Sequence, residues 1–255
     1  MENTTMENTR TKTTRNSLIL LLTAAIWGMA FVSQSKGMDY MHPFTFNGVR
    51  SLIGAASILV YILISRKIAG DKAAPLDWKL NVKAGLLCGI FLTIASTLQQ
   101  FGIKYTSVGK AGFITTLYII FVPMFGIFLK KKVAPVVWAA AVMAAVGMYL
   151  LCMTESLRLG AGDIMVFLCA IAFAIQIMTV DHYAARIDGA VVSCIQFTVC
   201  GVVCCIGALI WGQPTLGQLQ EGLGALLYAG VLSCGVGYTL QIVGQKGLNP
   251  TVAAL

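Results

Sequence analysis

From residue 17 onward the chain is a succession of long apolar runs separated by short polar breaks. Crossing the hydrocarbon core of a bilayer takes about 20 apolar residues in helical form. Eight runs approach that length: Ser17–Gln34, Phe44–Ile64, Ala84–Ile103, Ala111–Leu129, Val133–Cys152, Ile164–Val180, Ala190–Trp211 and Leu223–Val243. None shows the period-two alternation of a membrane barrel strand. Helices are the other way to satisfy every backbone group in lipid. The pattern therefore predicts an all-α polytopic membrane protein. The polar leader, residues 1–16, lacks the apolar side chains to bury and is expected to be a disordered tail. At the other end, Asn249 and Pro250 resemble a helix start. Val252–Leu255 then begin an apolar run too short to cross, so the sequence is expected to stop at the start of a ninth helix.

Composition supports this pattern. Of 255 residues, 58% are hydrophobic and 11% charged, and the mean hydropathy is +0.82. A soluble domain carries about 25% charged residues. The net charge of +8 does not point to nucleic acid, because its basic residues are scattered between apolar runs. They orient the chain instead. Arg10, Lys12, Arg15, Arg66, Lys67, Lys72, Lys79, Lys83, Lys130, Lys131, Lys132, Arg186 and Lys246 fall on one side. Lys36, Lys104, Lys110 and Arg158 fall on the other. The positive-inside bias places the amino terminus in the cytoplasm. Trp78, Trp138 and Trp211, near segment ends, read as interfacial anchors. The eight cysteines form no secreted disulfide framework, and Cys200, Cys204 and Cys205 read as small packing residues.

A short internal repeat changes the picture. Thr97–Lys104 reads TLQQFGIK and Thr239–Lys246 reads TLQIVGQK. The same offset aligns Ala30, Phe31 and Gln34 with Ala172, Phe173 and Gln176, and Asp39 with Asp181. Five segments separate each position from its partner. Five is odd, so the second copy would enter the membrane from the opposite side, as in the inverted repeats of many secondary transporters. Gln34 and Gln99 would lie toward the outer ends of their segments, and Gln176 and Gln241 toward the inner ends. An amide facing hydrocarbon leaves polar groups unpaired at several kcal/mol. The glutamines therefore either line a solute pathway or bond helix to helix.

Further candidates follow from position. Arg50 is the charge clearly inside a span, roughly 9 Å from the near end at 1.5 Å rise per residue. Its guanidinium either meets an anionic group of a solute or snorkels to water. Trp27, Phe31 and Gln34 share one helix face, which fits either an aromatic wall for a ligand or ordinary packing. Gln100, Tyr118 and Tyr238 complete the pathway candidates, alongside Gln99, Gln176 and Gln241. Pro123 should kink its helix. Asp163 reads as a helix cap, and Gly85 and Gly89 as a close-approach motif. No metalloprotease, hydrolase or P-loop motif is present, so neither those enzymes nor an ATP-driven pump is read here, and no metal or cofactor is expected.

These residues resemble the EamA-like branch of the drug/metabolite transporter superfamily. The resemblance runs through Trp27, Gly28 and Phe31, then Pro43, Phe46 and Arg50. It continues in YTSVGKAGFITTLYIIFVPMF with Pro123, in LGAGDIMVFLCAIAFAIQIMTVDHYA, and in GLNPTVAAL. It implies ten helices in two inverted five-helix repeats, a central cavity, alternating access and a bacterial plasma membrane. Mapped onto this chain, residues 17–158 form the first repeat, and 159–255 an incomplete second. The expected function is secondary transport of a small organic solute: a metabolite, amino acid or drug-like compound. The expected partners are that solute and the lipid bilayer, with a homodimer left open and no nucleic acid. The alternatives are a membrane-embedded enzyme on lipid-linked substrates and a non-transporting structural or regulatory subunit.

Overall fold

A computed structural model of the chain describes residues 2–70, 75–128, 135–152 and 160–245. Its regular elements are all helical. Helix α1 spans Glu2–Gly37, so the polar leader expected to be disordered is instead helical. Nothing in the leader breaks a helix: it holds no Gly or Pro, and the apolar turns that follow supply a nucleus from which helix propagates. α2 spans Pro43–Ala69, where Pro43 occupies the first turn and His42 Nδ1 accepts the Phe44 N–H. α3 spans Trp78–Tyr105 and is capped by the Asp77 carboxylate, which accepts the Leu80 N–H.

The fourth apolar run is not one helix. α4, Val108–Thr116, ends at Leu117 and α5, Tyr118–Phe128, resumes at once. Pro123 lies inside α5 and cannot bond the carbonyl one turn back, so the discontinuity falls within two turns before it. α6 spans Pro135–Cys152. α7 spans Ala161–Ala184. Asp163 does not cap it from outside, as expected from sequence; it sits in the first turn and reaches back to accept the Gly160 N–H at 2.9 Å. α8, Gly189–Gly207, widens into a π-turn over Ala208–Gly212. It stops at Gln213, which is left-handed at φ 42°. A short α9, Leu216–Glu221, leads to α10, Leu223–Leu227. A π-helical stretch, Tyr228–Gly237, then joins α10 to α11, Tyr238–Gln245.

Seven stretches among the described residues are long and apolar enough to cross a membrane: Thr14–Gly37, Pro43–Ala69, Trp78–Tyr105, Val108–Phe128, Ala161–Ala184, Gly189–Gly212 and Leu223–Gly244. The expected fifth span appears as α6 but is not among those seven. Lys72, Lys130, Lys131, Lys132, Arg158, Lys246 and the expected ninth-helix start lie outside the described residues. Large apolar side chains face outward along the helices, for example Leu21, Val60, Leu63 and Leu209. Water would not tolerate such a surface over this extent; lipid does. Trp78 and Trp211 are exposed at helix ends, where an interfacial anchor belongs.

Named contacts fix the direction of each helix. At one face, the Thr106 hydroxyl at the end of α3 donates to Asp163 at the start of α7. There too Phe44 at the start of α2 stacks on Trp211 at the end of α8, with ring centroids 5.5 Å apart. Gly222 before α10 abuts Met41, and Gly37 at the end of α1 abuts Phe46. At the opposite face, the Asp188 N–H before α8 donates to Asn81 Oδ1 near the start of α3 at 2.9 Å. Arg66 near the end of α2 approaches Asp188 at 3.9 Å. Gly189 meets Ile242 of α11, and Gly244 meets Leu20 of α1. So α1 and α7 run in opposite senses, as do α2 and α8, and α3 and α10–α11. α3 packs on α7 and α8, whereas α1 and α2 pack on the α10–α11 path.

Small residues let these helices approach closely. A Cβ on Gly102 would stand 2.4 Å from Val166 Cγ2 and 2.9 Å from the Gly162 carbonyl oxygen. Gly85 and Gly89 of α3 likewise receive Ile195 and Val199 of α8, the close approach anticipated for that motif. Gly102→Ala is therefore predicted to cost about 1–3 kcal/mol by overpacking. Gly224→Ala, with nothing within 4 Å of the added methyl, should be neutral or slightly stabilising. Thermal melting in detergent compares the two. A second prediction concerns His42, whose pKa is lowered by burial and by the charge of Lys104. A base with a lowered folded-state pKa gives stability that is complete above its ordinary value of about 6.5 and declines as pH falls below it. The melting temperature should drop between pH 7.5 and 5.5, and the drop should shrink in His42→Asn.

Candidate functional site

Where α1, α2, α3, α4, α5, α7, α8, the π-helical stretch and α11 converge they line a cavity of about 360 Å³. Trp27, Phe31 and Gln34 present one face of α1 to it. This follows from their helical spacing and from the absence of a helix-breaking bend between them. All the pathway candidates read from the sequence line this cavity except Gln100. Gln100 is fully buried beside it, and its Nε2 donates to the Gln34 backbone oxygen at 3.2 Å, tying α3 to α1. For that residue the helix-bonding alternative is what the geometry supports.

One wall is aromatic. The Trp27 and Tyr238 ring centroids lie 4.8 Å apart, and Tyr238 meets Phe197 edge-on at 4.8 Å. The Trp27 indole N–H donates to the Ser233 backbone oxygen at 3.3 Å, which fixes the ring. The polar wall carries the glutamines. Gln99 Nε2 donates to Thr115 Oγ1 at 3.3 Å, and Gln176 Nε2 donates to Gln196 Oε1 at 3.2 Å. Among the described residues the buried side-chain oxygens of Gln34 and Gln241 have no hydrogen-bond partner. Both pairs aligned by the sequence offset, Gln34 with Gln176 and Gln99 with Gln241, thus line a single space.

Arg50 is the one Lys, Arg, Asp, Glu or His side chain on the wall among the described residues. It is 5% exposed, so it does not snorkel to the surface. Its Nε donates to Asn47 Oδ1 at 3.0 Å, and its guanidinium carbon lies 5.7 Å from the centroid of the buried Phe46 ring. Asn47 Nδ2 in turn donates to Ser96 Oγ at 3.1 Å and to Cys204 Sγ at 3.2 Å. Cys200 and Cys204 are fully buried there, and Ser51 Oγ also donates to Cys200 Sγ at 3.4 Å. They pack α8 against α2 and α3, as small residues at a helix crossing do. Among the described residues no group of three His, Cys, Asp or Glu side chains is gathered in a way that could hold a metal ion.

Phe173 and Phe197 on the wall, and Asn47 behind Arg50, were not among the candidates. Phe173 occupies the repeat position of Phe31, so the internal register could have revealed it. Asn47 lies one turn before Arg50 on the same face, a spacing that marks a partner. Phe197 carried no sequence signal, since an aromatic residue in an apolar run is ordinary.

Comparison with known proteins agrees with this architecture. The sequence is 31% identical over 171 residues to an "Uncharacterized transporter" of Archaeoglobus fulgidus, covering 65% of this chain and 48% of that protein. The matched part thus spans about half of the archaeal relative. It is 26% identical over 241 residues to "Uncharacterized transporter YwfM" of Bacillus subtilis, covering 93% of this chain and 79% of the relative. A solved crystal structure superposes with a TM-score of 0.72 at 17% identity, covering 94% of this chain and 83% of the other, a likeness of fold. The model of the EamA-like transporter family matches residues 15–153 and 160–255. Matched over nearly all its length and carrying several membrane-length apolar helices, this multi-pass membrane protein belongs to the EamA-like transporter family.

Proposed function

We propose that the protein is a secondary transporter that moves a small organic solute across a bacterial plasma membrane by alternating access. In this reading the cavity is its midplane site, and its amino terminus is cytoplasmic. The observation that carries this reading is the convergence of Gln34, Gln99, Gln176 and Gln241, two repeat-related pairs, on one cavity. Residues 17–158 and 159–255 are then two copies of one unit threaded in opposite senses. The opposite directions of α1 and α7, α2 and α8, and α3 and α10–α11 favour it. So does the packing, because exchanging each helix for its counterpart turns the α3–α8 contact into the α10–α11 contact with α2. Ile53 and Ile195 are separated by the same interval as Thr97 and Thr239, and each rests on a glycine, Gly230 and Gly85 respectively. Two such units sharing one site can each open a path to one side while the other stays packed.

Uptake of a set of labelled metabolites by proteoliposomes containing the protein tests this. Uptake above empty vesicles is expected for at least one solute; none for any solute would contradict the proposal. Trp27→Ala, which strips the aromatic wall, should lower uptake by at least about 10-fold, in keeping with truncation of a contact worth over 1.4 kcal/mol. Gln100→Leu removes a hydrogen bond worth about 1 kcal/mol and should lower the melting temperature while leaving KM unchanged.

A further inference from the structure

Resting on the carrier reading of the cavity, we propose that Arg50 is the binding site for the anionic group of the solute. The solute class is then a small organic monoanion, a carboxylate borne on an apolar body. Three observations carry it. First, the guanidinium is held in place from behind. Asn47 Oδ1 accepts from Nε, and the Asn47 amide is itself oriented because its Nδ2 donates to Ser96 and Cys204. The Phe46 ring lies beside the guanidinium at 5.7 Å. A long side chain so fixed has already lost the freedom that binding would otherwise cost.

Second, the charge has no acidic partner among the described residues. Among the described residues Asn47 is its only hydrogen-bond partner and no Asp or Glu lies on the cavity wall. At 5% exposure Arg50 is largely removed from bulk water. Arginine cannot shed its proton to escape that penalty, as a lysine could. A buried charge is tolerated when an opposite charge pairs with it. The terminal nitrogens, without a hydrogen-bond partner among the described residues, present the forked donor geometry that fits a carboxylate with two parallel hydrogen bonds.

Third, the rest of the cavity limits what the anion is attached to. One cation on the wall balances one negative charge. The Trp27, Tyr238 and Phe197 rings supply an apolar surface. A volume of about 360 Å³ lies at the small end of ligand cavities, which run from about 300 to 1,000 Å³.

The test titrates purified protein in detergent with three carboxylates: 3-phenylpropionate, indole-3-propionate and hexanoate. Each is paired with its own uncharged amide and with the amine of matching chain. Binding is read by calorimetry and by the fluorescence change that Trp27→Phe removes. At least one carboxylate is expected to bind at least about 10-fold tighter than its amide, as a charge-assisted hydrogen bond requires. Arg50→Gln should abolish that preference, and Arg50→Lys should keep its direction with a smaller ratio, since lysine lacks the fork. The ligand comparison in the unmodified protein stands even if Arg50→Gln fails to fold. Equal affinity for carboxylate and amide, preference for the amine, survival of the preference in Arg50→Gln, or no binding of any carboxylate would each overturn the proposal. The two readings fail separately. An amide or amine bound at Trp27 as tightly as the carboxylate removes the anion site and leaves the carrier, while vesicle uptake tests the carrier without regard to solute charge.

Discussion

A polar group surrounded by hydrocarbon has to find its partner inside the protein, because lipid offers none. That constraint orders this molecule. Backbone groups are satisfied within helices. The amides of α1, α3, α7 and α11 are turned inward, either onto one another or onto the central cavity. Arg50 is drawn to the same place and held there by Asn47. Several of the buried polar groups of separate helices meet at the cavity, while many large leucine, isoleucine and valine side chains face outward.

Close packing makes that arrangement stable without a hydrophobic drive between helices. Glycines at the crossings of α3 with α7 and α8 bring backbones near enough for dispersion contacts to accumulate. The π-helical stretch at Tyr228–Gly237 lines the cavity, and the break at Leu117 separates α4 from α5, which both line it. Departures from regular helix are tolerated in a membrane where neighbouring protein covers the freed backbone groups.

Much of this could be read from the chain alone, for a physical reason. Spans are long and their signal is compositional, so the position of each apolar run predicted a helix there. Glutamine inside such runs is costly, so Gln34, Gln99, Gln176 and Gln241 had to face the protein interior, either a shared space or a neighbouring helix. The leader was misread because low hydrophobicity says nothing about a helix extended from a neighbouring one. The split at Leu117 was missed because Pro123 marked a kink without locating it. Gln100 was grouped with Gln99, although adjacent helical residues point about 100° apart, and only the packing of α1 shows which one faces the cavity. Arg50 stood out by its charge, but its orientation depended on Asn47, Ser96 and Cys204 from three helices, a set that no local pattern contains.

The account rests on the two halves being threaded through the bilayer in opposite senses. Impermeant labelling of single cysteines at Asp39, in the α1–α2 loop, and at Arg186, in the α7–α8 loop, measures this most directly in intact cells. The account predicts that Asp39 is labelled from outside and Arg186 only after the membrane is opened. Labelling of both positions from the same side would contradict it.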